Sequence, residues 1–411
     1  MAFVYENKEL TCDGVSIAEI AARVGTPFYL YSAPEFKKNY RAYQTAFAQA
    51  EATICFAVKA CSNLAILRLL KDEGAGADTV SAGEIRRALL AGVAPAKIIF
   101  SGVGKSREEI AFALDSAIGQ LNVESLAELE IINEIAAATK IAAPISIRVN
   151  PDVDPQTHEK IATGRKSDKF GIPWNQARAA YQRARGLSHV EIEGIAFHLG
   201  SQITELTPFR HALTRIGELI STLKADGLSL RRIDVGGGLG IRYQNETPVA
   251  LSDYAELVMG HVRPPGLQLF LEPGRSIAAS AGALIAQVQL VKATDGKTFA
   301  ILDAGMNDLA RPAIYGAYHE IISVREGMAT ETYDLVGPVC ESADLLGAKR
   351  LLPPLAAGDL LAILNAGAYG AAMSSNYNTR PLPPEILVDH GQPRVIRERQ
   401  RFEDIVALEK L

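Results

Sequence analysis

From Thr53 to Ser276 the chain repeats one pattern eight times: a short apolar run, then a longer stretch with helical periodicity. The runs are TICFAVKA, ADTVSA, KIIFSG, QLNVES, PISIRVNP, EIEGIAFHLGS, RRIDVGGGLG and LQLFLEPGRS. Between them lie NLAILRLLKDEG, SAGEIRRALLAG, SLAELEIINEIAAATK and TPFRHALTRIGELISTLKADG, with apolar residues at i, i+3, i+4 and i+7. Several of these end in the glycine expected just past a helix. Near-continuous apolar strands separated by helices imply a parallel sheet covered by helices. Eight units over about 225 residues match the count and length of a (β/α)₈ TIM-like barrel, of α/β class. An open doubly wound sheet built from the same units is the alternative, because strand count does not prove closure.

The barrel is expected over residues 35–278. Beyond it, GALIAQVQLVKATDG, TFAILDAGM, TYDLVGPVC and DLLAILNAG are strand-like runs joined by short Gly/Asp/Pro turns. They predict a C-terminal, mostly antiparallel β domain over 279–411. The N-terminal segment 1–34, with FVYENKELTCDG and TPFYLYS, is expected to join it, which makes the barrel an insertion between two halves of that domain.

Composition narrows the function. A chain of 411 residues exceeds one ordinary core. Its net charge is −5 and its basic residues do not gather, so nucleic acid and anionic membrane surfaces are not expected partners. The N-terminal MAFVYENKELTCDGVS lacks the apolar core of a signal peptide, and no run approaches the roughly 18 apolar residues of a membrane span. The four cysteines, Cys12, Cys55, Cys61 and Cys340, form no CxxC pair and show no metal-ligand spacing. They point to reduced thiols, a cytoplasmic setting and no bound metal.

A barrel of this kind carries its active site at the carboxyl ends of its strands. Those ends read Lys59, Asp78, Ser101, Glu124, Arg148 with Asn150, His198, Gly236 to Gly238, and Glu272 with Arg275. Any one of them alone reads more simply as a solvated rim residue; the whole polar set at one mouth does not. GGGLG is no dinucleotide fingerprint, because Ile241 stands where the last glycine belongs. Three successive glycines do let backbone N–H groups approach an anion, and with EPGRS after the eighth strand they suggest a phosphate site. A strand-end lysine facing a phosphate site points to pyridoxal 5'-phosphate, whose aldehyde Lys59 could hold as a Schiff base. Glu272 could then face the pyridine nitrogen, and His198 could lie flat against the ring.

These residues belong to longer strings. FAVKA, HLGSQI, DVGGGLG, EPGRS and CESAD stand in the order of the barrel-type (fold type III) pyridoxal-phosphate decarboxylases, which the chain resembles over essentially its whole length. NPDVDPQTHEKIATGRKSDKFGI, RPAIYGAYHEI and YGAAMSSNYNTRPLPPEILV are similar to the branch acting on meso-diaminopimelate, not to the ornithine and arginine branches. The resemblance implies decarboxylation of that substrate to L-lysine and carbon dioxide, the last step of lysine biosynthesis. It implies Lys59 as the covalent anchor, with Asp78, His198, Ser201, Gly237, Gly238, Glu272, Pro273, Gly274, Arg275 and Tyr369 around the cofactor. Arg275, Arg311, Tyr315, Glu341 and Tyr369 would bind substrate, and Cys340 would return a proton to it. It further implies a homodimer with shared active sites, to which Cys340 and Glu341 cross from the neighbouring subunit. Ala60–Cys61 departs from the expected Ala–Asn after the lysine, and Leu199 from the expected isoleucine; Cys61 would make the site oxidation-sensitive. The polar segment 158–172 is expected to be a mobile lid. A related decarboxylase for another diamino or carboxy-amine substrate, and a non-catalytic carrier of the cofactor, remain the alternatives.

Overall fold

The computed structural model describes residues 2–50, 52–155, 157, 159–161, 163–165, 168–262 and 266–410. The chain divides into two compact units: Tyr40–Arg242 with Glu246–Ser276, and Met1–Asn39 with Tyr243–Asn245 and Ile277–Leu411.

The first unit is a closed barrel. Its strands are β1 (Thr53–Ala57), β2 (Gly76–Thr79), β3 (Ile98–Phe100), β4 (Gln120–Val123), β5 (Ala143–Asn150), β6 (Val190–Ala196), β7 (Arg232–Asp234) and β8 (Gln268–Leu271). Each pairs in parallel with the next. Pairing of Phe270 with Thr53 and of Leu271 with Ile54 joins β8 to β1, so the eight strands close into a ring and the doubly wound alternative falls. The helices after the early strands start with one device. Ser81, Ser106 and Ser125 each accept the backbone N–H three residues on, from Glu84, Glu109 and Glu128, which satisfies a donor the helix cannot. Because the strands alternate their side chains, β4 turns Gln120 and Asn122 inward, and both are buried in the barrel interior.

In the second unit the strand Gly282–Thr294 is the centre of a sheet. It pairs antiparallel with Phe28–Ser32, Lys297–Leu302 and Leu360–Ile363. Two other neighbours run parallel: Lys297–Leu302 with Glu331–Val336, and Phe28–Ser32 with Glu385–Asp389. The sheet is therefore mixed, with antiparallel pairs in the majority. Phe28, Leu30, Ile285, Ala362, Ile386 and Val388 share its core. The N-terminal segment joins this unit as expected, Phe28–Ser32 within the sheet and Leu10, Cys12, Ile17 and Ile20 in its core. Within that unit the first strands form a small three-stranded sheet of their own, Phe3–Glu6, Glu9–Cys12 and Val15–Ser16. Asn7 and Lys8 both have positive φ, the conformation of a tight two-residue hairpin, and they fold the strand back on itself. Ser16 then caps a helix, Ile17–Val24.

Candidate active site

At the carboxyl ends of the barrel strands, a cavity of about 190 Å³ is lined by residues that include Lys59, Arg148, His198, Asp234 and Glu272. Lys59 lies in the single 3-10 turn Val58–Ala60 that follows β1. Its Nζ donates to Asp78 Oδ2 at 2.8 Å, and Asp78, on β2, is fully buried. The other carboxylate oxygen, Asp78 Oδ1, accepts no hydrogen bond from the described residues. Opposite, Glu272 follows β8 and is fixed by its backbone N–H to the Gly236 carbonyl at 2.8 Å. Glu272 Oε1 is likewise buried without a donor.

Glu272 has a neighbour that the sequence reading passed over. Asp234, the last residue of β7, is buried, and its charge acts on Glu272. Two carboxylates close together in a dry interior disfavour each other's ionised form. Burial, then the charges of Asp234 and Asp78, push the Glu272 carboxyl well above its usual range, which favours its protonated form. Asp234 is raised by burial too, though it has the better donors: Gly236 N–H at 2.9 Å, with the Asn122 and Gln120 amides at 3.4 Å. Asn122 in turn donates to Ser101 Oγ at 3.0 Å and accepts from Gln120 at 2.8 Å. The only sequence signal for this floor was polar residues inside otherwise apolar strands, Gln120 and Asn122 in QLNV and Asp234 in RID.

His198 follows β6. Its Nδ1 accepts the Gly237 N–H at 3.1 Å, which places the ring proton on Nε2. Burial, then Arg148 and Lys59, hold its pKa well below the imidazole range, so the ring is neutral. This hydrogen bond revises the reading of the three glycines. The Gly236 N–H is taken by Asp234 and the Gly237 N–H by His198, so two of the three donors face inward. Gly237 is glycine because a Cβ would collide with the Glu272 carbonyl, and Gly238, at φ +105°, because a Cβ would meet Gly200. Ser201 and Arg275 come together, the guanidinium donating twice to Ser201 Oγ at 2.8 and 3.2 Å. Pro273 and Gly274 link Glu272 to the short helix Arg275–Ala278, and the Pro273 carbonyl accepts the Ala57 N–H at the end of β1. Glu124 accepts from Arg148 at 2.7 Å, Gly102 at 3.0 Å and Gly171 at 2.7 Å, which locks three strand ends together. Asn150 donates to the Arg165 carbonyl at 2.8 Å. Of the expected lid, residues 158, 162, 166 and 167 lie outside the described residues. Within it, Thr163 donates to the Leu199 and His198 carbonyls and the Gly164 carbonyl accepts from Val153.

The second unit holds the remaining candidates. Arg311 and Tyr315 begin and end the short helix Arg311–Tyr315; Arg311 is buried and Tyr315 half-buried. Cys340 and Glu341 are exposed on one turn, where the Cys340 N–H donates to Asn378 Oδ1 at 3.0 Å. Asp344 ties that turn down by accepting the Val339 N–H at 2.7 Å and the Met306 N–H at 2.6 Å. Tyr369 is held in the left-handed region, φ +57°, where a bulky side chain is strained. Asp344, Asn378 and His319, which contacts Arg311, had no distinguishing sequence signal.

Comparison with known proteins follows the same lines. Residues 33–279 match the family model of the pyridoxal-dependent decarboxylases, pyridoxal binding domain. The chain belongs to that family of pyridoxal-phosphate enzymes. Within it, the chain is 48% identical over 410 residues to the diaminopimelate decarboxylase of Pseudomonas aeruginosa, covering 100% of this chain and 99% of that protein. Two solved structures agree. The Helicobacter pylori diaminopimelate decarboxylase complexed with L-lysine is 44% identical with a TM-score of 0.92, covering 95% of this chain and 98% of that one. That of M. jannaschii in co-complex with L-lysine is 36% identical with a TM-score of 0.95, covering 100% and 98%.

Proposed function

We propose that the protein decarboxylates meso-2,6-diaminopimelate to L-lysine and carbon dioxide with pyridoxal 5'-phosphate, closing lysine biosynthesis. The observation that carries the reading is the barrel floor, where Glu272 and Asp234 are buried together and Glu272 Oε1 accepts no hydrogen bond from the described residues, while burial and Asp234 raise the Glu272 pKa. A pyridine nitrogen needs both a proton and a negative neighbour to stay protonated, and this pair supplies both. Bound there, the cofactor supplies an electron sink for the pair left behind when carbon dioxide departs.

The chain's own residues take the other parts. Lys59 would hold the cofactor's aldehyde carbon, with Asp78 fixing Nζ at the cavity. His198, neutral and locked by Gly237, would present its ring face without adding charge. Ser201, Gly238 and Pro273 to Arg275 would hold the phosphate end. Arg275, Arg311 and Tyr315 would bind the distal carboxylate, since guanidinium and carboxylate match in a bidentate pair. Glu341 would take the distal ammonium, and Tyr369 would touch both cofactor and substrate. Cys340 would return a proton to the substrate carbon. We further propose a homodimer in which Cys340 and Glu341 of one chain serve the barrel of its partner; their exposure on a surface turn supports this. The free thiols of Cys12, Cys55, Cys61 and Cys340 support a cytoplasmic setting, and among the described residues no helix is long and apolar enough to cross a membrane.

The test is to supply cofactor with meso-diaminopimelate, ornithine or arginine and to follow amine product and carbon dioxide. Lysine from diaminopimelate alone is expected. Carbon dioxide from ornithine or arginine instead would overturn the assignment of Arg275, Arg311 and Glu341. Mixing Lys59→Ala chains with Cys340→Ala chains tests the shared site: regained activity is expected, and none would reject it.

A further inference from the structure

Arg311 is held by a histidine whose proton the structure assigns. His319 lies just past helix Arg311–Tyr315, beyond Gly316, whose φ of +60° turns the chain back. It is fully buried and Arg311 nearly so. His319 Nδ1 lies 2.8 Å from the Leu364 carbonyl oxygen, which can only accept, so Nδ1 carries the hydrogen. Nε2 lies 2.7 Å from Arg311 Nη1, which can only donate, so Nε2 presents its lone pair. A doubly protonated ring would set N–H against N–H. The ring is also held from other directions. The Tyr243 ring meets it edge-on at 5.3 Å and lies 4.7 Å from the Arg311 guanidinium carbon. Arg350 donates to the His319 carbonyl at 3.0 Å, and the Leu364 N–H is fixed on the Glu320 carbonyl at 2.8 Å.

We infer that His319 is the positioning residue for Arg311: a neutral acceptor of fixed tautomer that sets the plane of the guanidinium without cancelling its charge. A carboxylate at the same place would orient Arg311 equally well, but it would neutralise the cation and compete with an incoming substrate carboxylate. The inference rests on the proposed reading of Arg311 as the group that binds the distal carboxylate.

Two substitutions separate the two bonds of the ring. Asparagine keeps a side-chain N–H near the place of Nδ1 and removes the acceptor facing Arg311; glutamine can place its oxygen near Nε2 and gives up the Leu364 bond. With the holoenzyme, His319→Asn is expected to raise KM for meso-diaminopimelate about 10-fold with kcat within about 3-fold, the scale of one charge-assisted hydrogen bond. It should weaken L-lysine binding by a like factor and leave 1,5-diaminopentane, the same chain without the carboxylate, unchanged. His319→Gln should recover most of the loss. Equal losses in both variants, falling on kcat as well as KM, would mean that the ring is only packing, and would overturn the inference. Unchanged KM in both, while Arg311→Met raises it, would also overturn the inference but leave the reading of Arg311 intact. Unchanged KM in Arg311→Met would remove that reading and this one together. Should the asparagine variant fail to fold, nitrogen NMR of wild-type protein labelled at its seven histidines decides directly. One buried ring with Nδ1–H and a bare Nε2 at neutral pH is expected for His319, and an Nε2–H or doubly protonated ring there would refute it.

Discussion

The barrel mouth and the Arg311 cluster bury charge in opposite ways. In the barrel, acids face a cation and each other: Lys59 on Asp78, and Glu272 against Asp234. Two carboxylate oxygens, Asp78 Oδ1 and Glu272 Oε1, have no donor there among the described residues. In the other unit the cation Arg311 faces an uncharged ring, and that ring has both nitrogens occupied. A buried oxygen without a donor destabilises the folded chain by roughly 1–3 kcal/mol, so the barrel floor is a poor resting structure and a good receptor. The arginine cluster needs no such vacancy. Its positive charge is set in place by a partner that does not neutralise it. The first arrangement suits a cofactor whose ring nitrogen can take a proton from the acid pair and be held by the negative charge left there; the second suits a substrate that brings a carboxylate.

Breaking the barrel side should have the largest effect. Lys59→Ala removes the only lysine among the described residues lining the cavity, and we expect kcat to fall on the order of 10⁴-fold. Borohydride should then no longer fix the cofactor to the chain, as a mass measurement would read; label found on another lysine would displace Lys59 from its role. Glu272→Gln keeps the shape but removes the acid. A loss of about 10²- to 10³-fold in kcat with little change in KM is expected, comparable to removing one preorganised electrostatic contact. An unchanged kcat would show that the pair at the floor is structural only.

Breaking the other side should show in KM. Arg311→Met is expected to lower kcat/KM for diaminopimelate by about 10- to 100-fold, chiefly through KM, because a charge-assisted pair contributes roughly 1.5–3 kcal/mol. If kcat falls instead, Arg311 acts on the chemistry and the contrast between the two regions fails.

Legibility differed along the same division. The barrel could be read because helices and strands have different periods, and the eight repeats kept theirs from Thr53 to Leu271. Closure itself could not, since it depends on β8 finding β1 across the whole repeat. Lys59 and Glu272 stood out as charged residues ending apolar strands. Asp234 was hidden inside DVGGG, where the glycines drew the interpretation towards an anion cradle. Where a backbone N–H points is set by neighbours from other strands, and here His198 and Asp234 take two of them. His319 was printed in RPAIYGAYHEI, yet its value lies in a lone pair whose direction is fixed by Leu364, well separated in sequence. The first hairpin joins the β domain as expected, but the small sheet it makes there was not legible. A strand's pattern marks it as a strand but leaves open which sheet it joins.

The smallest effect has opposite signs on two residues of the barrel mouth, and it concerns the stability of the cofactor-free protein. Burial raises the folded-state pKa of Glu272 well above its unfolded value of about 4.3. Between those values the folded chain holds a proton that the unfolded chain has lost. This contribution to stability is therefore complete below about pH 4.3 and is lost as pH rises towards the folded value. His198 behaves in reverse. Its folded pKa is depressed, so its contribution is complete above the unfolded value of about 6.5 and is lost as pH falls below that. Each group can contribute up to about 1.4 kcal/mol per pH unit inside its window, a few degrees in Tm for a unit of this size. The difference in Tm between Glu272→Gln and the parent should grow in the variant's favour from pH 5 to pH 7. For His198→Leu it should grow in the variant's favour from pH 7 down to pH 5. Parallel melting curves across that range for either variant would mean that the residue titrates in the folded barrel as it does in water, and the buried acid pair or the neutral imidazole would have to be given up.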